Sequence, residues 1–286
     1  MDKASPSQRR SLTNVLAATD FSSASFTALQ YALSIVRQFA GTLYLAHIVS
    51  DIAAADHAWR DGQRLTTDLL ISGELRGVPH KLLVGHGEIW EGLAPMVREN
   101  NIDMIVVGTH GRMGLAKVLL GSVAERIFRQ ASCPVLTVGP NSPSRSTRGN
   151  ALQKILYATD FTPQSLSAAD YAFSLAQQYQ AHLTLLHVIA EEPSDLNTRS
   201  TMSQAAVERL MKIVPSDAQL QNKPECIVTF GAAGSGILSV AADKNPDLIV
   251  LGVTQPAAGA FAGRRWTNAS EVTGKAACPV LTIRGR

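Results

Sequence analysis

Short continuous apolar runs alternate along this chain with longer stretches in which apolar residues recur at helical spacing. Val15 to Ala18 ends the first run, as strands buried on both faces of a parallel sheet do. Ser22 or Ser23 is placed to cap a helix. Phe26, Leu29, Leu33 and Val36 follow at helical spacing, and Gly41 is expected to stop it. Leu43 to Val49 predicts a second strand. A longer polar, helical stretch then runs to Lys81, followed by a strand near Leu82 to Val84 and a helix over Ile89 to Glu99. Met104 to Val107 reads as a strand, Val123 to Arg129 as a helix, and Val135 to Val138 as a last strand. This alternation predicts a doubly wound α/β fold, in which ligands sit at the carboxyl ends of the strands.

The pattern occurs twice. Leu12 to Val49 aligns without a gap on Leu152 to Ile189 at a constant offset of 140, with 15 identities in 38 positions. Composition alone would give roughly two or three, so duplication is the economical explanation. The identities include Ala18-Thr19-Asp20-Phe21 with Ala158-Thr159-Asp160-Phe161, and His47 with His187. Two further blocks repeat: residues 102–108 with 246–252, and 133–137 with 278–282. The stretch 140–150 has no apolar residue to bury and many helix and strand breakers. The expected organisation is therefore a domain over 1–140, a linker over 141–150 and a second domain over 151–286.

Composition narrows the choice of class. At 286 residues, 45% hydrophobic and 17% charged, the chain is ordinary globular material. No signal-peptide stretch and no membrane-length apolar run is evident, and Cys133, Cys226 and Cys278 have neither disulfide-framework nor zinc spacing. These features lead to an expected cytoplasmic location. The net charge of +3 comes from the tails and linker. Lys3, Arg9, Arg10, Arg145, Arg148, Arg284 and Arg286, with Asp2, are read as solvated ends, and without them 19 cations face 22 anions. A net −3 on the remainder argues against a broad nucleic-acid surface. No membrane partner is expected either.

The candidate chemistry lies after the fourth strand of the first repeat. Gly108-Thr109-His110-Gly111 is followed by Gly121-Ser122 at the start of a predicted helix. Glycines bring bare backbone N–H groups close to an anion, and a helix start adds its positive dipole end and further N–H donors. Asp20, after the first strand, reads equally as an Asx turn, a helix cap or a ligand residue. His47, His187, His86 and His110 lack partners for a metal site and read as core or loop residues. Gly231, Gly234 and Gly236 read as a structural turn. No Walker A, nucleophile-elbow or zinc-protease motif is present.

With these motifs in view, both halves resemble universal stress protein domains, and the chain resembles a tandem universal stress protein. The resemblance covers nearly the whole chain and rests on Gly-x2-Gly-x9-Gly-Ser at Gly108, Gly111, Gly121 and Ser122. It implies a five-stranded, Rossmann-like parallel sheet of the adenine nucleotide alpha hydrolase type in each half. It also implies an ATP site in the first domain, with Mg²⁺ on the phosphates. Ala18 and Asp20 would lie beside the nucleoside, and Ile48 and Val107 against the base. Gly108, Gly111, Gly121, Ser122 and Val123 would surround ribose and phosphates. The implied activity is stress-response regulation; a slow ATPase or nucleotidyl transferase and a non-catalytic interaction module are the alternatives. Further implications are pairing of the halves through Val135 to Val138 and Val280 to Ile283, and a possible homodimer.

The second half departs from the motif. Gln255 stands at the Gly111 position, and Arg265-Trp266 or Trp266-Thr267 replaces Gly121-Ser122. Side chains there occupy space where backbone would approach phosphate. Weak or absent ATP binding is expected in that half, although Asp160, Val188, Leu251 and Gly252 retain the nucleoside side. Arg264 and Arg265 read as a solvated pair.

Overall fold

The computed structural model describes residues 12–109, 121–143, 152–253 and 264–285. These fall into two compact units, 12–143 and 152–285. In the first, β1 (Asn14–Ala18), α1 (Ser23–Gln38), β2 (Thr42–Val49), α2 (Ala55–Ile71), β3 (His80–His86), α3 (Ile89–Glu99), β4 (Met104–Gly108), α4 (Ser122–Gln130) and β5 (Val135–Val138) follow in order. The strands form a parallel sheet in the order β3-β2-β1-β4-β5.

The second unit contains β6 (Lys154–Ala158), α5 (Pro163–Leu166), α6 (Ala169–Tyr179), β7 (His182–Ile189), α7 (Leu196–Ile213), β8 (Glu225–Phe230), α8 (Ala233–Lys244), β9 (Leu248–Val253), α9 (Arg264–Lys275) and β10 (Val280–Arg284). Its parallel order, β10-β9-β6-β7-β8, uses equivalent strands in equivalent places. In each unit the strand order reverses between the first and fourth strands. That is the topological switch point at which doubly wound sheets open a crevice.

The core is built on the two central strands of each sheet. Val15, Leu16, Ile105 and Val106 are solvent-inaccessible, as are Leu156, Ile249 and Val250. Such continuous apolar runs suit strands covered by helices on both faces. Tyr157 brings a phenol into this interior where the first unit has Ala17. Its hydroxyl donates to the Ser165 carbonyl at 2.8 Å, and burial pushes its pKa up to about 12.

Helix ends refine the expectations. Ser22, rather than Ser23, caps α1 by accepting from the Ser25 N–H at 3.2 Å. The helix ends at Gln38, and its stop is a Schellman arrangement with Ala40 at φ +50°. The Gly41 N–H donates to the Val36 carbonyl at 2.7 Å and that of Ala40 to Arg37 at 3.4 Å. Gly41 is small for another reason: a Cβ there would collide with the Thr13 carbonyl. In the second unit the equivalent helix divides into α5 and α6, and the Ser167 hydroxyl donates to the Gln164 carbonyl at 2.7 Å.

Two segments read as solvated from sequence are held by the fold. Arg284 ends β10 half-buried, and loss of solvation lowers its guanidinium pKa. Asn141 to Pro143, expected in the linker, stay with the first unit: Ser142 is buried, and the Tyr31 hydroxyl donates to the Pro143 carbonyl at 2.8 Å. Gly231 turns the chain after β8 at φ +114°, whereas Gly234 and Gly236 lie in the first turns of α8.

Candidate functional site

The site begins where β1 leaves the sheet. Ala18 is the last β1 residue and is level with Ala46 of β2, so Asp20 lies just past the strand end. Asp20 accepts the Ser22 N–H on Oδ1 at 3.0 Å, an Asx turn that leads into the capped start of α1. Asp160 makes the same turn with the Thr162 N–H at 3.0 Å. The local fold therefore uses this carboxylate in both units.

A repeated corner fixes its neighbours. Phe21 and Phe161 adopt φ +61° and +60°, which bulky residues rarely enter. The Phe21 N–H donates to Thr19 Oγ1 at 2.9 Å, and the Phe21 ring lies 4.7 Å from that of His47. His47 Nδ1 sits 2.6 Å from the Thr19 carbonyl oxygen; His187 repeats this with Thr159 at 2.8 Å and with the Phe161 ring at 4.5 Å. Sequence reading left these histidines without partners. Their recurrence 26 positions after the recurring Phe was the available signal.

The opposite wall is the end of β4. Val107 is buried, and Gly108 closes the strand against the first turn of α1. A Cβ on Gly108 would lie 2.9 Å from the Ala24 carbonyl oxygen, and one on Gly252 would meet Gln164 and Ser165 backbone. Packing alone thus requires glycine at this position in both units. Ile48 of β2 packs against β3 and α3, since Cβ atoms on Gly85 and Gly92 would come within 2.8 and 2.7 Å of its Cδ1.

The helix after β4 gives the crevice its electropositive end. Gly121 is the N-cap of α4 and supplies no side-chain cap, while Ser122 and Val123 open the helix on its exposed side. The first-turn N–H groups have no intrahelical acceptor and carry the positive end of the helix dipole. The Gly121 N–H donates to the Thr109 carbonyl at 2.8 Å, and the Thr109 N–H to Val138 at 3.0 Å. These bonds tie the start of α4 to the end of β4. Arg126 of α4 pairs with Glu88, the N-cap of α3. Gly111 and His110 lie outside the described residues, and His86 is exposed at the end of β3. Among the described residues, no three His, Cys, Asp or Glu side chains cluster to hold a metal ion.

The second unit shows the equivalent residues gathered round one space. Ala158, Thr159, Asp160, Val188, Leu251 and Gly252 line a small open cleft of about 100 Å³ at the carboxyl ends of β6 and β9. Its helical end differs. Counting back from the Cys133 and Cys278 repeat, Thr267 is equivalent to Ser122, yet α9 already begins at Arg264. The Asn268 N–H, equivalent to that of Val123, is then one turn inside the helix and within reach of the Arg264 carbonyl.

Doubly wound parallel sheets of this strand order define the Rossmann-type α/β class. The chain belongs to the universal stress protein family, whose model matches residues 12–139 and again 151–284. It is similar to a universal stress protein of Methanocaldococcus jannaschii, 33% identical over 138 residues, spanning 42% of this chain and 78% of that protein. A universal stress protein of Synechocystis is 29% identical over 136 residues, spanning 46% of this chain but only 44% of that protein. The crystal structure of a universal stress protein from Archaeoglobus fulgidus shares the fold. Its TM-score is 0.68 at 18% identity, covering 96% of this chain and 98% of that one. No described helix is long and apolar enough to cross a membrane.

Proposed function

We propose that the first unit binds ATP and that occupancy regulates the protein in a stress response. The observation that carries this reading is the α4 start: an N-cap without a side chain, tied to the carboxyl end of β4 beside the switch point. Such a helix start is a ready anion site, since N–H groups and the dipole both favour negative charge. The Ser122, Val123 and Ala124 N–H groups and the Ser122 hydroxyl would take the phosphates. Ile48 and Val107 would pack on adenine, and Ala18 and Asp20 would lie beside the nucleoside, with Asp20 accepting ribose hydroxyls. Gly108 would give ligand and α1 a common close approach. Gly111 would serve the phosphates from the loop.

Mg²⁺ fits this arrangement as an ion carried on the phosphates. It keeps several waters and needs only one or two carboxylates, so a protein cage of ligands is not required. Regulation follows by linkage. A ligand at about 100 times its Kd stabilises the bound form by about 2.7 kcal/mol, enough to shift a partner-binding equilibrium.

The test is titration of the intact chain with ATP and Mg²⁺, followed by thermal melting and calorimetry. One ATP per chain, with a rising melting temperature, supports the reading. An unchanged melt and no heat at millimolar ATP, with the circular dichroism of a folded protein, would sink it.

A further inference from the structure

Asp160 lines the cleft between β6 and β9, whereas the next residue, Phe161, enters a separate groove bounded by α5, α6 and α7. This groove shares no lining residue with the cleft. Its volume of about 420 Å³ falls within the roughly 300–1,000 Å³ of small-molecule sites. Phe161, Leu166, Phe173 and Ile213 give it an apolar floor. Its charges are Arg209 and Lys212 of α7 and Asp170 of α6, which leave the rim net positive.

An aromatic ring places the Arg209 guanidinium. Its central carbon lies 4.0 Å from the centroid of the Phe161 ring. That ring is set in turn by the corner at φ +60° and by the His187 ring at 4.5 Å. A guanidinium over a ring face is oriented while its N–H fork stays available to an acceptor. Lys212 follows Arg209 at i+3, so the two cations share one side of α7.

The equivalent groove of the first unit reverses the charge. Phe21 and Phe26 stand there at the Phe161 and Leu166 positions, but the charged residues are Asp61, Arg64 and Asp68. Packing of the same helices accounts for a groove in both units. It does not account for the exchange of two carboxylates and one cation for two cations and one carboxylate. A net positive rim above an apolar floor complements a ligand with an apolar body and one anionic head.

We propose that the groove between α6 and α7 binds an amphipathic monocarboxylate, an alkyl or arylalkyl acid. Arg209 forks the carboxylate, Lys212 adds a second cation, and the apolar body lies on Phe161, Phe173 and Ile213. An Arg–carboxylate pair of this kind is charge-assisted and directional. The site is independent of the ATP reading of the first unit.

Calorimetry of the full chain with octanoate and with phenylbutyrate, each compared with its uncharged primary amide, tests this. The expected result is one site per chain for at least one of the acids, with the matching amide bound at least about tenfold more weakly because the charge-assisted bonds are lost. Arg209→Gln and Lys212→Gln, both at exposed positions, leave the far-ultraviolet circular dichroism unchanged. The first weakens acid binding at least about tenfold and the second about threefold, as befits a lone exposed charge. Saturating ATP leaves the acid affinity as it was. No heat from either acid at millimolar concentration, equal binding of acid and amide, or full affinity in Arg209→Gln overturns the proposal. So does displacement of the acid by ATP, which would put it in a nucleotide cleft instead.

Discussion

At Gly121 the demands of folding and of the proposed ATP binding can be separated. Its φ of −60° and ψ of 151° suit any amino acid, so nothing in the backbone demands glycine. Gly121→Asp should add the missing cap and stabilise the fold by a few tenths of a kcal/mol. The same carboxylate would occupy the α4 N–H groups and repel phosphate, costing ATP affinity on the order of a hundredfold, since charge-assisted bonds contribute about 1.5–3 kcal/mol each. Melting and calorimetry on one sample read both effects; unchanged ATP affinity would remove the phosphates from α4. Gly108 is the opposite case. Gly108→Ala forces a Cβ against the Ala24 carbonyl and should destabilise by about 1–3 kcal/mol in urea, with or without ligand.

Buried acids set the alkaline limit. Burial raises Tyr157 from 10.0 to about 12 and Cys133 from 9.0 to about 12. Both are neutral when protonated and both titrate higher in the folded state. Their contribution is therefore complete below about pH 9 and is lost as pH rises through about 12. Urea midpoints should fall between pH 9 and 12, and Tyr157→Phe should remove the tyrosine part of that slope above pH 10. A flat profile in the unsubstituted protein would contradict the burial of both groups.

At the scale of elements, helix ends carry much of the local specification. Ser22→Ala removes the cap of α1 and should cost about 1 kcal/mol, measured as a shift in the urea midpoint. That substitution also frees the Ser25 N–H beside the Asp20 turn, so ATP affinity should fall with stability. Asp195 caps α7 through the Thr198 N–H at 2.7 Å, which lowers its pKa. Its contribution is present above the ordinary carboxylate range and lost as pH falls through the lowered value. Most elements were legible in the sequence because each carries a periodic apolar face and a local stop signal. The reach of β3 from His80 to His86 was not: its ends, half-exposed His80 and exposed His86, are set by pairing with β2 rather than by apolar residues.

At the scale of the whole molecule, duplication provides an internal control. The two units share sheet order, the Asp turn, the Phe–His corner and the close glycine at the end of the fourth strand. Their described difference at the site is the start of the last helix, at Ser122 in one and at Arg264 in the other. ATP should therefore bind once per chain. Native mass spectrometry with a stepwise ATP series checks this, and two equivalent adducts would show that the start of α9 does not matter.

The sequence by itself determined the repeat and the alternation of strands and helices, which are carried by apolar periodicity and by local turn chemistry acting between residues close in the chain. The candidate positions from Ala18 to Val123 came from the glycine motif and from the resemblance to a family. Tertiary structure decided which of those residues are committed to packing. Gly108 owes its size to Ala24, 84 residues upstream at the start of α1, Arg284 is drawn into a strand end, and His47 acquires its carbonyl and ring partners from a turn 26 to 28 residues earlier. Such assignments depend on close approach between segments far apart in sequence, and periodicity holds no record of it.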